Sequence, residues 1–429
     1  MKREFYLYRG AISDYKKECD KKQVISKKLN VISLTDAYVL PVKFFREAGV
    51  EYAKGGVVDK NGNYVHSSGR FRDFEETKQS CVLMGEYEFS KKNVSIIKDP
   101  CIYCGEYIWH YGHFLCESMT RLWYVVKHYK KGTKLIFISD IPREIKGNYK
   151  QIFELLGIDL NDILIVSRVV QCRNLTIPDA SFVFCCWATP EFLVPFRKIS
   201  DAVKKVEKYS KIYLSRTHYK DRFMIGEEGI EKLFRQNGFH VLYPEELSLS
   251  KLIAYLKGAR VVAGLSGTGL HNIIFANPKT HLIVLNRSNF ANPVQEQINQ
   301  VANMDVSYVD VHFNYLGAAN AVFLVGITPL LKSFAKDQKW DVSTVSALTQ
   351  KQLELDFKMY MKDFRREALL AGNNATLGDV WSAVLKSVEL SPNSHTFVKL
   401  KYFLLSKICW GEKRKKYQNC YKNIMEKFK

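Results

Sequence analysis

Between Lys211 and Val311 short apolar runs alternate with helical patterns, and this alternation limits the fold more than any other feature of the chain. The runs are KIYLSR (211–216), FHVLYP (239–244), RVVAG (260–264), HLIVLN (281–286) and DVSYVDV (305–311). Helical patterns fill the intervals over 227–237 and 248–256, from Gly269, and over 292–303. Continuous apolar runs of this length read as strands buried on both faces, and strands separated by helices pair in parallel. The segment therefore predicts a parallel sheet with helices on both faces, and not a bundle or a β-sandwich.

An earlier block follows the same rule. NVSIIK, KLIFIS (134–139) and DILIV (162–166) read as strands, and 113–130 and 148–157 as helices. Before them, Asn61-Gly62 marks a hairpin added at a sheet edge. Two prolines in CCWATPEFLVPFRK suggest a linker before a long polar helix over 198–209, and residues beyond 325 read as mostly helical. The expected architecture is α/β, with two Rossmann-like domains in tandem over 1–195 and 196–325, a cleft between them, and a helical region over 326–429.

The chain has 64 Lys and Arg against 44 Asp and Glu, a net charge of +20 that favours an anionic partner. Ten of those cations fall in 399–429 against Glu412 and Glu426. Beside them stand Phe403, Leu404, Ile408 and Trp410, so residues 396–429 read as a surface for anionic membrane. A module for nucleic acid is missing, which leaves that partner class without support. No stretch reaches the roughly 20 apolar residues of a membrane span, and the start MKREFYLYRG lacks the apolar core of a signal peptide. The location expected is cytoplasmic and peripheral on the inner face of the cytoplasmic membrane. Ten cysteines without a regular framework read as reduced thiols, and the lone pair Cys101 and Cys104 lacks the second pair that a zinc site needs.

Three segments could carry chemistry. In ARVVAGLSGTGLHNIIFANP a strand runs into Ser266, Gly267, Thr268, Gly269, His271 and Asn272 and then a helix. Such a turn favours a phosphate through backbone N–H groups and the helix dipole. It departs from the dinucleotide fingerprint, because Asn272 replaces the third glycine and no acidic residue closes the next strand. Arg216 follows directly on a strand, with Lys220 and Arg222 in the loop after it, so all three can clamp a diphosphate from the other side of the cleft. In WHYGHFLCESMTRLW the spacing i, i+4, i+8 puts His113, Glu117 and Arg121 on one helical face, with His113 or Glu117 as general base.

Together these motifs resemble glycosyltransferase family 61, whose bacterial members work in capsule and lipopolysaccharide assembly. The resemblance covers about 55–311 and rests on GHFLCESMTRLW, on IYLSRTHYKDRFMIGEEGIEKLF, and on the segment from GFHVLYP to IIFANP. It implies a GT-B fold, a nucleotide-sugar held mainly by the second domain, inversion at the anomeric carbon, and no metal or other cofactor. By position His113 and Glu117 fall on the family's first-domain helix, Arg216 and Arg222 on its basic loop, and Gly267, Gly269 and Asn272 on its glycine turn. The family usually has His where Ser266 stands and Thr where His271 stands, and Leu285-Asn286-Arg287 replaces an acidic residue.

The expected activity is thus sugar transfer from a nucleotide-sugar, uridine being the commonest base of such donors, to a lipid-linked or oligosaccharide acceptor of capsule or lipopolysaccharide type. The alternative is a catalytically silent scaffold subunit of a membrane-associated assembly complex. The absence of a D-x-D near these strands agrees with the lack of a metal, since such carboxylates would hold a divalent ion on the diphosphate.

Overall fold

The computed structural model of the chain describes residues 1–8, 12–47, 50–72, 81–83, 85–219, 224–288, 291–312, 323–343, 402, 405, 406 and 410–427. Among these residues the chain is a mixed α/β protein with two large sheets. The second sheet is the expected one, with Lys211–Leu214, His240–Leu242, Val261–Leu265, His281–Asn286 and Val306–Asp310 all parallel. One strand was not expected there: Arg3–Tyr6 pairs in parallel with Val306–Asp310 and forms the edge of this sheet. The helix Pro329–Asp337 also packs on this sheet, through Leu331 and Phe334 against Val309 and Val311. The units expected over 1–195 and 326–429 therefore both contribute to the second sheet.

The first sheet has eight strands and mixed direction. Ser95–Glu106, Lys134–Ile138 and Ile163–Val166 are parallel neighbours, and Ser95–Glu106 is also parallel to Val170–Pro178. Val31–Glu47 extends this core antiparallel to Val170–Pro178 and then pairs with Val50–Val58. Pro41 and Pro100 lie where the register of these long strands shifts, as expected for residues that cannot donate to the ladder. Cys101 and Cys104, three positions apart on one strand, pack into different apolar clusters.

Two helical expectations need correction. The helix expected over 198–209 is Leu193–Ala202. Pro195 is tolerated in its first turn, and Leu193, Phe196 and Ile199 set its buried face. The helix expected from Gly269 is the tighter 3-10 form over Thr268–Phe275.

One apolar core joins the two sheets. Phe114, Phe153 and Leu122 from the first belong to the same cluster as Ile253, Phe275 and Val284 from the second. The helix Leu193–Ala202 links them, with the Phe196 ring 5.5 Å from that of Phe275. This shared packing brings the start of the first-unit helix up to the glycine turn.

In the terminal segment the helix Gly411–Lys427 follows Trp410, which is 87% exposed. Phe403, Leu404 and Ile408 lie outside the described residues. Among the described residues no helix is long and apolar enough to cross a membrane.

Candidate active site

The two functional segments meet at Gly112 and Thr268. A Cβ on Gly112 would come within 2.7 Å of Thr268 Cγ2, so only glycine allows this approach. Next to it the Tyr111 hydroxyl donates to Asn272 Oδ1 at 2.7 Å, while Asn272 Nδ2 donates to Gly269 O at 2.9 Å. Thr268 and Asn272 Oδ1 thus meet the first unit, while Asn272 Nδ2 braces the turn itself.

On the first-unit side the geometry departs from a straight α-helix. Tyr111–His113 is α-helical, Phe114–Ser118 is a π-turn, and the α-helix resumes only at Leu122–His128. His113 and Glu117 still meet, Nδ1 to Oε2 at 2.5 Å. Arg121 does not join them, which corrects the expectation of one face. The wide turn rotates it away, and its guanidinium donates to Ser67 O at 2.5 Å and to Gly69 O at 3.2 Å.

Two arginines that sequence spacing missed take the place of Arg121. Arg70 NH1 donates to Glu117 Oε1 at 2.8 Å, and its Nε to Glu106 Oε2 at 2.9 Å. Arg72 spans both Glu117 oxygens at 3.3 Å. Burial alone would raise the Glu117 carboxyl, but the His113 hydrogen bond and the charges of Arg70 and Arg72 bring it down to about 2. These contacts hold Glu117 as a carboxylate between an imidazole and two guanidiniums. Its Oε2 orients His113, whose ring is also stacked on Phe184 at 5.2 Å. Phe184 sits in turn beneath Arg72, 5.0 Å from the guanidinium carbon. A cavity of about 410 Å³ opens behind Glu117, walled by Arg70, Glu106, Phe182, Phe184 and Trp187.

On the second-unit side Val261–Leu265 ends at Ser266, whose N–H donates to Leu285 O at 2.8 Å. Gly267 follows with φ +147, a conformation that favours glycine. A Cβ there would stand 3.5 Å from both Arg216 NH1 and Arg287 NH1. Neither guanidinium has a carboxylate partner among the described residues; each lies instead over a ring, Arg216 over Tyr219 and Arg287 over Phe323. Burial, and then the charge of Arg216, push Arg287 down to about 10. Two guanidiniums thus stand beside one turn with no carboxylate ion pair among the described residues.

Arg216 is positioned from its own backbone. Its N–H donates to Glu227 Oε1 at 3.1 Å, where the Tyr213 hydroxyl also donates at 3.0 Å. On either side Ser215 and Thr217 give their hydroxyls to Glu231 Oε2 at 2.7 and 2.8 Å. Burial raises the Glu227 carboxyl to about 7 in spite of these donors. Lys220 and Arg222 lie outside the described residues.

Gly269 has open space above it. His271 is buried, with Nδ1 2.9 Å from Gln295 Oε1. Burial holds its ring neutral down to about 4, helped by the nearby His113, Arg287 and His110. Asn286, where an acidic residue was missed, accepts from Tyr15 at 2.8 Å and donates to Asp310 at 2.9 Å.

The family described as Glycosyltransferase 61 matches this chain over residues 111–283, which include the His113–Glu117 pair, Arg216 and the glycine turn. This match supports reading the chain as a glycosyltransferase. No curated protein matches the chain.

Proposed function

We propose that the chain transfers a sugar from a nucleotide-sugar to a hydroxyl acceptor, with inversion and without a metal, on a GT-B-like arrangement of its two sheets. The observation that carries this reading is the juxtaposition at Gly112 and Thr268: a His–Glu pair on one side, and on the other a turn flanked by two uncompensated guanidiniums.

In this mechanism the diphosphate lies against Gly267, between Arg216 and Arg287. The two arginines supply the positive charge that would otherwise fall to a divalent ion. His113 is the base. Glu117 holds Nδ1–H, so Nε2 takes the proton of the acceptor hydroxyl as its oxygen bonds to the anomeric carbon. The bond from that carbon to the diphosphate breaks, and its electron pair leaves with the phosphate oxygen. A single displacement inverts the anomeric centre. The acceptor enters by the cavity behind Glu117, whose aromatic walls suit the apolar faces of sugar rings.

A lipid-linked or oligosaccharide acceptor of the capsule or lipopolysaccharide type fits a chain that carries the basic helix Gly411–Lys427, which would meet an anionic surface at the inner face of the membrane. The test is a thermal-shift panel of nucleoside diphosphates and nucleotide-sugars in EDTA, repeated on Arg216→Ala. A shift of several degrees by one base, lost in the variant, supports the proposal and identifies the donor's nucleotide. No shift from any of them would leave a silent scaffold as the better reading.

A further inference from the structure

A chain of hydrogen bonds beneath the glycine turn fixes the proton of one histidine. Glu296 is buried, paired with Arg3, and accepts from Gln300 Nε2 at 3.1 Å, so its carboxylate can only accept. Tyr308 has one hydroxyl proton and donates it to Glu296. The Tyr308 oxygen therefore accepts from Asn299 Nδ2 at 3.1 Å, and Asn299 Oδ1 accepts from Gln295 Nε2 at 2.9 Å. Gln295 Oε1 is then turned towards His271, 2.9 Å from Nδ1, and the imidazole must donate there. With Nδ1 protonated and the ring neutral, Nε2 presents a lone pair.

That nitrogen has no partner among the described residues, although His271 is only 6% exposed. The ring lies near His113 and His110 of the first unit and near Arg287 of the second. Thr268, one 3-10 turn earlier and so on the same face, is the residue that touches Gly112. His271 thus lies near both Arg287 at the glycine turn and His113 of the His113–Glu117 pair. A sugar whose anomeric bond is to break must lie between that turn and that pair, bonded to the diphosphate on one side and met by the acceptor on the other.

We propose that His271 reads the sugar of the bound nucleotide-sugar, accepting a hydrogen bond from one of its hydroxyl groups through Nε2. This rests on the reading that a nucleotide-sugar occupies the turn. A lone pair in this position favours a free hydroxyl and disfavours a carboxylate or carbonyl oxygen, because both of those are acceptors as well.

Two measurements test the proposal. In the full chain labelled with 15N-histidine, long-range 1H–15N spectra report the tautomer of each ring, and the His271 signal is the one lost in His271→Gln. The Nδ1–H form is expected at neutral pH; an Nε2–H form or an imidazolium would overturn the proposal. Calorimetry then compares binding of nucleoside diphosphates with that of the matching nucleotide-hexoses. His271→Ala is expected to weaken the nucleotide-hexose about tenfold, the scale of one hydrogen bond, while leaving the bare diphosphate within about twofold. Gln295→Leu, which removes the acceptor that fixes the ring, is expected to reproduce the split. Equal losses for both ligands, or none, would sink the idea. If no nucleotide binds the wild-type chain while the Nδ1–H form is found, the reading of the turn fails, and with it the proposal.

Discussion

Arg216 and Arg287 converge on Gly267, and neither has a carboxylate ion-pair partner among the described residues. Like charges held together cost stability in the empty protein and return it when an anion binds. Arg287→Met is therefore expected to melt no lower than wild type without ligand and to lose most of the shift caused by the cognate nucleoside diphosphate. Turnover should fall about 100-fold, the usual loss for one donor to a developing oxyanion. Thermal melts with and without nucleotide, together with initial rates, check both parts.

The His113–Glu117 pair separates positioning from proton transfer. His113→Ala should lower kcat by about 10²–10⁴-fold with little change in donor KM, as for loss of a general base. Glu117→Gln leaves Arg70 and Arg72 facing a neutral amide in a buried site. It should cost about 3–5 kcal/mol of stability as well as rate. Denaturant melts beside steady-state kinetics distinguish the two variants; equal stability loss in both would remove His113 from its role as base.

The contact of Gly112 with Thr268 predicts a steric lesion and its relief. Gly112→Ala is expected to cost about 1–3 kcal/mol through overpacking and to move His113 away from the turn, lowering kcat/KM. Thr268→Gly in the same chain removes the opposing side chain and should recover much of the loss. A double-mutant cycle measures that recovery, and additive losses would deny the contact.

Two buried groups give opposing pH dependences. Glu227 shifts from 4.5 to about 7 on folding, so its contribution is full below 4.5 and is lost as pH rises through about 7. His271 shifts from 6.5 to about 4, so its contribution is full above 6.5 and is lost as pH falls through about 4. Between about pH 4.5 and 6.5 the two slopes offset each other. Glu227→Gln should uncover stability that rises with pH there, and His271→Gln stability that falls. Melting temperatures across this range test the signs. Glu117 enters only lower, its contribution fading as pH drops from 4.5 towards about 2.

The second sheet could be read from the sequence because each of its inner strands is a continuous apolar run flanked by helices, a pattern set by local burial. The same local logic found His113 and Glu117 at i, i+4. It could not find the π-turn over Phe114–Ser118, which moves Arg121 out of line, since that insertion leaves no mark in the apolar period. Arg70 and Arg72 were missed because the short strand Arg70–Phe71 and the residue after it, from another part of the chain, deliver them to Glu117. Arg287 was visible only as the end of a departure from a family pattern. Its meaning depends on Arg216 at the same turn, a relationship between strands that spacing along one chain does not express. Arg3–Tyr6 was overlooked for the same reason: four residues, partly exposed, acquire the character of a strand only from their neighbour.

That edge strand also sets an order of assembly during synthesis. Lys2 and its partner Asp305 are 303 positions apart, so the strand leaves the ribosome long before anything exists to receive it. At about 5–20 residues per second the wait is roughly 15–60 s. Throughout that time the growing second sheet lacks its last member, and Glu296 lacks Arg3, the cation that anchors the hydrogen-bond chain to His271. The turn can therefore take its final electrostatic form only after the two ends of a long loop have closed, which makes its maturation a late event in the life of each new molecule.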